Sequence, residues 1–254
     1  VNNVESVASV PAIINNGIEW FNSMGTEKSK GFTLYSLSGH VKNPGQFEAP
    51  LGITLRELID LAGGMRNGHK LKFWTPGGSS TPLFTEEHLD TPLDYEAMAA
   101  KKGMLGHGGI VVFDDRVDLA KQARFAFEFC AKESCGKCTP CRVGTRRILE
   151  ILEKICDGKG VPSDLDMLDH LCYEVAKNSL CGLGQGAPNP VISMLKHFRA
   201  EYEAHIYEKK CPAKVCKSLI RYEIQAPTCT GCTVCARNCP VEAISGERRL
   251  AHKI

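Results

Sequence analysis

The stretch that decides both the fold and the chemistry of this chain is "ESCGKCTPCRVGTRR", residues 133–147. Cys135, Cys138 and Cys141 follow one another at three-residue steps in it. Such steps can bring three thiolates around one small centre, and iron–sulfur clusters are held by four cysteine thiolates. A fourth thiolate is available at Cys181, within the glycine-rich "SLCGLGQGAPNP". The alternative is a zinc site of four cysteines, but zinc favours two separated C-x2-C pairs.

The cysteines are distributed unevenly, because all 13 lie from Cys130 onward in a chain of 254 residues. A secreted disulfide scaffold would be short and would carry cysteines throughout, so reduced, metal-binding thiols in the cytoplasm are predicted. The net charge of +2 gives no reason to expect nucleic-acid binding. No run of apolar residues is long enough to predict a membrane span. The chain begins at Val1 without an initiator methionine, so a fragment of a longer protein is expected.

Hydrophobic periodicity predicts an α+β protein of several domains. Strand-like segments "FTLYSLSGHV", "LKFWTPGGSS" and "GGIVVF" surround a helix that Thr54 and Glu57 begin as a capping box. Residues 114–210 carry four amphipathic helices with short links, which indicates a four-helix bundle. Residues 211–254 are rich in Cys and Pro and too few to fold without a metal.

A second cysteine motif lies in that last segment. "CTGCTVCARNCP", residues 229–240, has the C-x2-C-x2-C-x3-C-P spacing of bacterial ferredoxins. In two-cluster ferredoxins, positions equivalent to Cys229, Cys232 and Cys235 bind one 4Fe–4S cluster and that of Cys239 binds the other. No second run follows before Ile254, so the segment is predicted to be the first half of such a domain. The fourth ligand of the first cluster is not identified.

Between these two motifs, "HIYEKKCPAKVC" brings an imidazole and two thiols close together in sequence. His205, Cys211 and Cys216 are predicted to bind zinc, with His252 as a candidate fourth ligand. Such a site would form a hinge between the bundle and the ferredoxin segment. Two alternatives remain open: the thiols are simply buried and His205 is a helix-end cation, or Cys211 completes a ferredoxin cluster.

The motifs together resemble a known family. "ESCGKCTPCRVGTRR" with "SLCGLGQGAPNPV" closely resembles the flavoprotein subunit that oxidises NADH in respiratory complex I and its relatives. "VNNVES" resembles the end of that family's FMN-binding domain, and "SLSGHVKNPGQFEAPLGITLRELI" resembles its ubiquitin-like soluble-ligand-binding β-grasp (SLBB) domain. The resemblance implies four parts: residues 1–29 as the end of an FMN/NADH-binding domain, 30–113 as the SLBB domain, 114–210 as the 4Fe–4S bundle, and 211–254 as the zinc hinge with the half ferredoxin domain.

The same resemblance implies roles for individual residues. Cys135, Cys138, Cys141 and Cys181 would be the 4Fe–4S ligands of the bundle. Asn2 and Asn3 match asparagines that contact FMN, although a plain turn is the alternative interpretation of that pair. No catalytic residue is assigned. The glycine-rich segment that binds FMN and NADH in the family does not occur within these 254 residues, so they are not expected to be active alone.

The ferredoxin extension resembles the β subunit of electron-bifurcating or NAD(P)-linked iron hydrogenases and of related formate dehydrogenases. This implies an NAD(P)-linked oxidoreductase subunit that passes electrons between NAD(P)H, FMN and 4Fe–4S clusters. The implied partners are a thioredoxin-like 2Fe–2S subunit, a catalytic hydrogenase or formate dehydrogenase subunit, and ferredoxin. The alternatives are a non-catalytic iron–sulfur relay or scaffold, and a zinc-only interaction protein.

Overall fold

The computed structural model describes residues 1–254, and it begins with two helices on the surface. Helix α1 spans Val4–Asn16 and α2 spans Ile18–Asn22, and neither has a buried residue. The carboxylate of Glu5 accepts hydrogen bonds from the Thr33 hydroxyl at 2.8 Å and the Leu34 N–H at 2.7 Å. These two bonds connect α1 to the first strand of the sheet.

A four-stranded mixed sheet follows. Its strands are β1 (Phe32–Gly39), β2 (Gly45–Pro50), β3 (Leu71–Thr75) and β4 (Gly109–Asp114), in the order β2-β1-β4-β3. Strands β1 and β4 run parallel, whereas the other two pairs are antiparallel. The connections carry the short helices α3 (Leu55–Leu61) and α4 (Tyr95–Ala100). A parallel pair needs a long crossover, and the chain between β1 and β4 supplies it.

The local sequence explains where helix α3 begins and ends. Thr54 and Glu57 form the capping box predicted at the start of α3, with both reciprocal hydrogen bonds present. Gly63 and Gly64 have φ of +81° and +94°, so the backbone leaves the helix in a conformation that favours glycine. The buried face of α3 then packs with Tyr35 and Leu37 of β1 in one apolar core.

Four long helices build the second half of the chain. They are α5 (Leu119–Glu133), α6 (Thr145–Cys156), α7 (Ser163–Asn178) and α9 (Asn189–Glu203), with the short α8 (Gly182–Gly186) between the last two. Helix α5 packs on α6 and α9, and α7 packs on the same two helices. Single turns with π-helical bonding, Pro140–Gly144 and Ala204–Glu208, precede α6 and follow α9. The mixed α/β architecture predicted from the sequence is confirmed.

The sheet and the bundle are packed directly against each other. Phe73 of β3 is fully buried in the core of the bundle and stacks on Phe113 with ring centroids 4.4 Å apart. The N–H of Leu83 donates to the hydroxyl of Ser193 in α9 at 3.0 Å, and this bond is buried. Such contacts bury apolar surface from both parts, so the sheet and the bundle support each other.

Residues 211–254 contain little regular structure. Short 3₁₀ turns precede the four-residue helix α10 (Val234–Arg237), and Ser245 pairs with Lys253 in an isolated antiparallel bridge. Few side chains of this segment are buried, which agrees with a unit too small for its own apolar core. Throughout the chain, no helix combines the length and the apolar character that crossing a membrane requires.

Candidate iron–sulfur and metal sites

The first candidate site lies where α5 ends and α6 begins. Cys135 follows α5, Cys141 lies in the π turn, and Cys181 is the N-cap residue of α8. Cys135 and Cys181 are exposed, Cys138 is partly exposed and Cys141 is buried. Gly136, with φ of +76°, makes the tight turn that separates Cys135 from Cys138.

Backbone hydrogen bonds tie the two cysteine-bearing segments together at Cys138. The N–H groups of Leu180 and then Cys141 bond to the Cys138 sulfur and lower the pKa of its thiol. Leu180 directly precedes Cys181, so the segment carrying the distant fourth cysteine lies against Cys138. Hydrogen bonds from backbone N–H groups stabilise a charged thiolate. The structure thus brings the predicted fourth cysteine to the same end of the bundle as the other three.

The glycines after Cys181 have different surroundings. A Cβ on Gly184 would lie 2.4 Å from the Ser179 hydroxyl oxygen and 3.0 Å from the Cβ of Cys141, so close packing requires glycine there. A Cβ on Gly182 would meet nothing within 4 Å. Gly184 therefore lets α8 approach the cysteine turn, while the backbone of Gly182 faces open space.

Polar side chains hold the same turn from the other side. The Ser134 hydroxyl lies 3.2 Å from the Cys141 sulfur, and the Thr145 hydroxyl donates to the Cys141 carbonyl at 2.7 Å. The Arg142 guanidinium donates to the Gly136 carbonyl at 2.5 Å. A cation and oriented donors around four thiols suit an anionic cluster, because they stabilise negative charge on sulfur. The residues present therefore fit a 4Fe–4S cluster.

The second candidate site is a buried group at the other end of α5. Asp118, His205, Cys211 and Cys216 are all buried, and their ligand atoms lie within 4.8 Å of one another. The Asp118 carboxylate is 2.9 Å from His205 Nε2 and accepts from the Cys211 thiol at 3.2 Å. The Cys216 sulfur lies 3.6 Å from His205 Nε2.

A hydrogen bond at Nδ1 fixes the orientation of the His205 ring in this group. His205 Nδ1 lies 2.7 Å from the carbonyl oxygen of Glu201, one helical turn earlier, which requires a proton on Nδ1. In the neutral ring, Nε2 is then the atom free to bind a metal, as in most histidine–metal sites. A carboxylate oxygen, an imidazole nitrogen and thiolate sulfurs are all ligands that zinc binds in four-coordinate sites. The group therefore fits a zinc ion.

Without a metal, the buried charges of this group are balanced by an ion pair between His205 and Asp118. Burial would lower the pKa of His205, but the hydrogen bond to Asp118 and the contact with Cys216 outweigh it and raise that pKa to about 11. Burial would raise the pKa of Asp118, yet the bond to His205 keeps it below its usual value. A hydrogen bond with Cys156 and burial raise the pKa of the Cys216 thiol. Zinc would displace the proton of Nε2 and those of both thiols.

The structure does not bring His252 to this group. His252 is buried in the C-terminal segment, where its N–H donates to the Cys229 sulfur at 3.4 Å. Asp118 occupies the fourth position instead. The sequence gave one indication that Asp118 has a structural role, because an Asp directly before an amphipathic helix is a typical N-cap. In the structure its carboxylate does cap α5, accepting from the Lys121 N–H at 2.7 Å. Because Asp118 is far from Cys211 in the sequence, no spacing pattern indicated that the two could bind the same metal.

The C-terminal cysteines have thiols that receive backbone hydrogen bonds. The N–H groups of His252 and Gly231 lower the pKa of Cys229, and those of Val241 and Ala243 lower the pKa of Cys239. Cys232 and Cys235 are exposed. These N–H donors resemble those at Cys138 and fit an iron–sulfur centre in this segment as well.

At the N-terminus, Asn3 caps α1. Its side-chain oxygen accepts from the Ser6 N–H at 3.1 Å, and both Asn2 and Asn3 are exposed. A capping role is compatible with either interpretation of this pair, and the predicted FMN contact stays a prediction.

Two family models match the chain. Residues 121–205 match the NADH-ubiquinone oxidoreductase-F iron-sulfur binding region, and residues 34–84 match the SLBB domain. The first range contains all four cysteines of the bundle site. The chain resembles the F subunits of NADH-quinone oxidoreductases. The resemblance stated from the sequence is therefore confirmed, as are the iron–sulfur binding region and the SLBB domain.

Individual relatives support this similarity. The F subunit of the NADH-quinone oxidoreductase of Streptomyces coelicolor is 59% identical over 218 residues, covering 86% of this chain and 49% of the relative. HndC, a subunit of the NADP-reducing hydrogenase of Solidesulfovibrio fructosivorans, is 47% identical over 253 residues, covering 99% of this chain and 52% of the relative. The chain thus spans about half the length of these curated relatives.

A solved structure shares the fold. An NAD+-reducing [NiFe]-hydrogenase in the H2-reduced state has a chain that is 32% identical to this one, with a TM-score of 0.74, over 96% of this chain and 40% of that chain. The homologues are therefore subunits of NAD(P)-linked oxidoreductases, of both NADH dehydrogenase and hydrogenase type.

Proposed function

We propose that this chain belongs to an electron-transfer subunit that passes electrons between NAD(P)H, FMN and iron–sulfur clusters in a multisubunit, bifurcating hydrogenase. The observation that carries the proposal is the bundle site, where α8, which Cys181 caps, packs through Gly184 against Cys141 of the three-cysteine turn. A site of four thiols with oriented donors suits one-electron transfer, because it stabilises the cluster in both charge states.

The ligands we propose for the bundle cluster are Cys135, Cys138, Cys141 and Cys181. A 4Fe–4S cluster supplies reversible one-electron redox chemistry when bound. The chain itself positions the ligands. Gly184 allows α8 to pack against the turn that contains Cys141, and Arg142 holds the loop after Cys135 by donating to the Gly136 carbonyl. Arg142 also places a positive charge beside the thiolates.

The hydrogenase assignment rests on the C-terminal segment. The similarity to HndC extends over 253 residues, whereas that to the S. coelicolor relative extends over 218. We propose that Cys229, Cys232, Cys235 and Cys239 bind ferredoxin-type 4Fe–4S clusters and pass electrons to ferredoxin. The further partners in this proposal are a thioredoxin-like 2Fe–2S subunit and a catalytic hydrogenase subunit, in the cytoplasm. FMN, with Asn2 and Asn3 among its contacts, and NAD(H) or NADP(H) complete the cofactors.

For the buried group we propose a structural zinc bound by His205, Cys211, Cys216 and Asp118. The ion would join the end of α9 and the following segment to the start of α5. Since Cys211 and Cys216 begin the ferredoxin segment, this zinc would form the hinge between that segment and the bundle. A structural zinc site is closed, and all four residues are buried as such a site requires.

The experiment that tests the function uses the full-length protein purified with its complex. NAD(P)H-dependent reduction of an artificial acceptor and H2-dependent reduction of ferredoxin together with NAD(P)+ are measured, along with the EPR spectrum of the reduced protein. We expect both reductions, and we expect the acceptor reaction to require FMN. Reduction of the artificial acceptor without any reduction of ferredoxin would refute the proposed output, and a reduced protein without cluster signals would refute the electron-transfer role.

A further inference from the structure

Helix α5 has an exposed face whose side chains are used by neither candidate site. Phe125 and Phe129 lie one helical turn apart on it and remain 63% and 47% exposed. Two large aromatic rings at this spacing form an apolar stripe that the fold does not cover. Aromatic residues are enriched at interfaces between proteins.

Three cavities lie along α5 beside this stripe: all three have Arg124 in their lining, and one of them also has Phe125. Their volumes are about 680, 640 and 330 Å³. Together with the stripe they form what we call the α5 cleft. It runs from the loop of Ser134 and Gly136, beside the bundle cysteines, to Cys216 at the buried metal group.

The α5 cleft is strongly basic. Six lining cations have no carboxylate partner within the chain: Arg66, Lys121, Arg124, Arg142, Arg146 and Lys217. The lining carboxylates without a cation partner are only Glu153 and Asp157, since Glu128 binds Lys132 and Asp118 binds His205. The whole chain carries a net charge of only +2, so positive charge is concentrated here.

Arg124 shows that the cleft is incomplete by itself. Its Nε is buried but has no hydrogen-bond partner within the chain. Buried polar groups normally have such a partner, and an unsatisfied buried donor is destabilising. An acceptor supplied from outside would satisfy this group, and a carboxylate would do so with a charge-assisted bond.

The geometry points to an acidic polypeptide segment of a partner subunit as the occupant of the α5 cleft. The 15 residues of α5 extend for roughly 22 Å, which a single small anion cannot cover. A polypeptide can place carboxylates on the arginines and apolar side chains on Phe125 and Phe129 at the same time. This inference rests on the proposed function for the existence of partner subunits. The new element is the binding site of one partner subunit, which we place in the α5 cleft next to the bundle cysteines.

The occupant is identified by photo-cross-linking in the intact complex. The full-length protein is produced with its partner subunits and carries p-benzoylphenylalanine at position 125 or, as a matched control, at the position of the exposed Tyr173 on α7. We expect a cross-link from position 125 to a segment of another subunit in which Asp and Glu outnumber Lys and Arg. A cross-link to a neutral or basic segment, to nucleic acid or to the same chain would overturn the inference, as would the absence of any cross-link.

A charge-reversal pair tests the electrostatic part. Arg146→Glu changes a residue of the α5 cleft, whereas Arg147→Glu makes the same charge change at its neighbour, which binds Glu150 outside the cleft. We expect Arg146→Glu to lower the cross-link yield from position 125 on the order of tenfold, and Arg147→Glu to change it by less than about twofold. Equal effects of the two variants would refute the assignment. Iron content and the EPR signal of each variant test the proposed function separately, because neither variant removes a cysteine.

Discussion

The two ends of α5 carry cysteine groups of opposite character. At its C-terminal end, Cys135, Cys138 and Cys181 are at least partly exposed, Cys141 is buried, and N–H donors lower the pKa of Cys138. At its N-terminal end, Cys211 and Cys216 are buried beside a carboxylate and an imidazole, and their thiol pKa values are raised. The environments of the sulfur atoms, rather than the number of cysteines, thus distinguish the two groups.

This difference indicates which metal each end suits. N–H donors and a nearby arginine stabilise extra negative charge, as an iron–sulfur cluster with four thiolates requires. A compact group of mixed O, N and S donors suits a single small dication, whose two positive charges offset most of the negative charge of Asp118 and two thiolates. We therefore expect two metals, with separate dependence on the two sets of residues.

The largest expected effect is the loss of the bundle cluster on Cys181→Ala. The variant removes one of the four proposed ligands, so we expect the protein to lose about four iron atoms and the corresponding EPR signal. Cys172→Ala is the matched control, because Cys172 is a buried thiol of α7 that belongs to neither group. Full iron content in Cys181→Ala would exclude that residue as a ligand.

The next effect concerns stability at the opposite end. Asp118→Ala removes the N-cap of α5 and the buried carboxylate of the proposed zinc site, so we expect loss of zinc and a loss of about 3–5 kcal/mol in the free energy of unfolding. The measurement is denaturant unfolding followed by circular dichroism.

Asp94→Ala separates capping from metal binding. Asp94 is a buried N-cap of α4 that accepts from the Ala97 N–H at 2.6 Å, and it has no part in either cysteine group. We expect a smaller loss of about 1 kcal/mol and unchanged zinc content. Similar losses in both variants would mean that Asp118 acts only as a cap.

A smaller effect is expected at the glycines of α8. Gly184→Ala would push a methyl group against Ser179 and Cys141, so we expect about 1–3 kcal/mol of destabilisation and reduced iron retention. Gly182→Ala meets open space and should change thermal unfolding little. Indistinguishable melting temperatures for the two variants would refute the close approach of α8 to the cysteine turn.

The sequence predicted the local features well. The capping box at Thr54 and Glu57 and the four amphipathic helices were visible because capping and periodicity are encoded within a few residues. The glycine-rich stretch around Cys181 made it a candidate fourth ligand, and the resemblance to a family implied its pairing with the Cys135 motif, since a distance along the chain does not specify a distance in space.

The contribution of Asp118 could not be predicted in the same way. It reaches Cys211 and Cys216 only because α5 and α9 pack side by side in the bundle, and that packing depends on the whole core. His252 was assigned to the zinc site on composition alone, and the structure instead places it beside Cys229. The unpaired Nε of Arg124 likewise depends on burial, which no local pattern reveals.

The measurement that tests the presence of two separate metals most directly is the iron and zinc content of the full-length protein with Cys138→Ser or Cys211→Ser. We predict that Cys138→Ser loses about four iron atoms and keeps its zinc, whereas Cys211→Ser loses about one zinc and keeps its iron. Loss of iron in Cys211→Ser would instead make Cys211 a cluster ligand. That result, or a wild-type protein without zinc, would contradict the assignment of one metal to each end of α5.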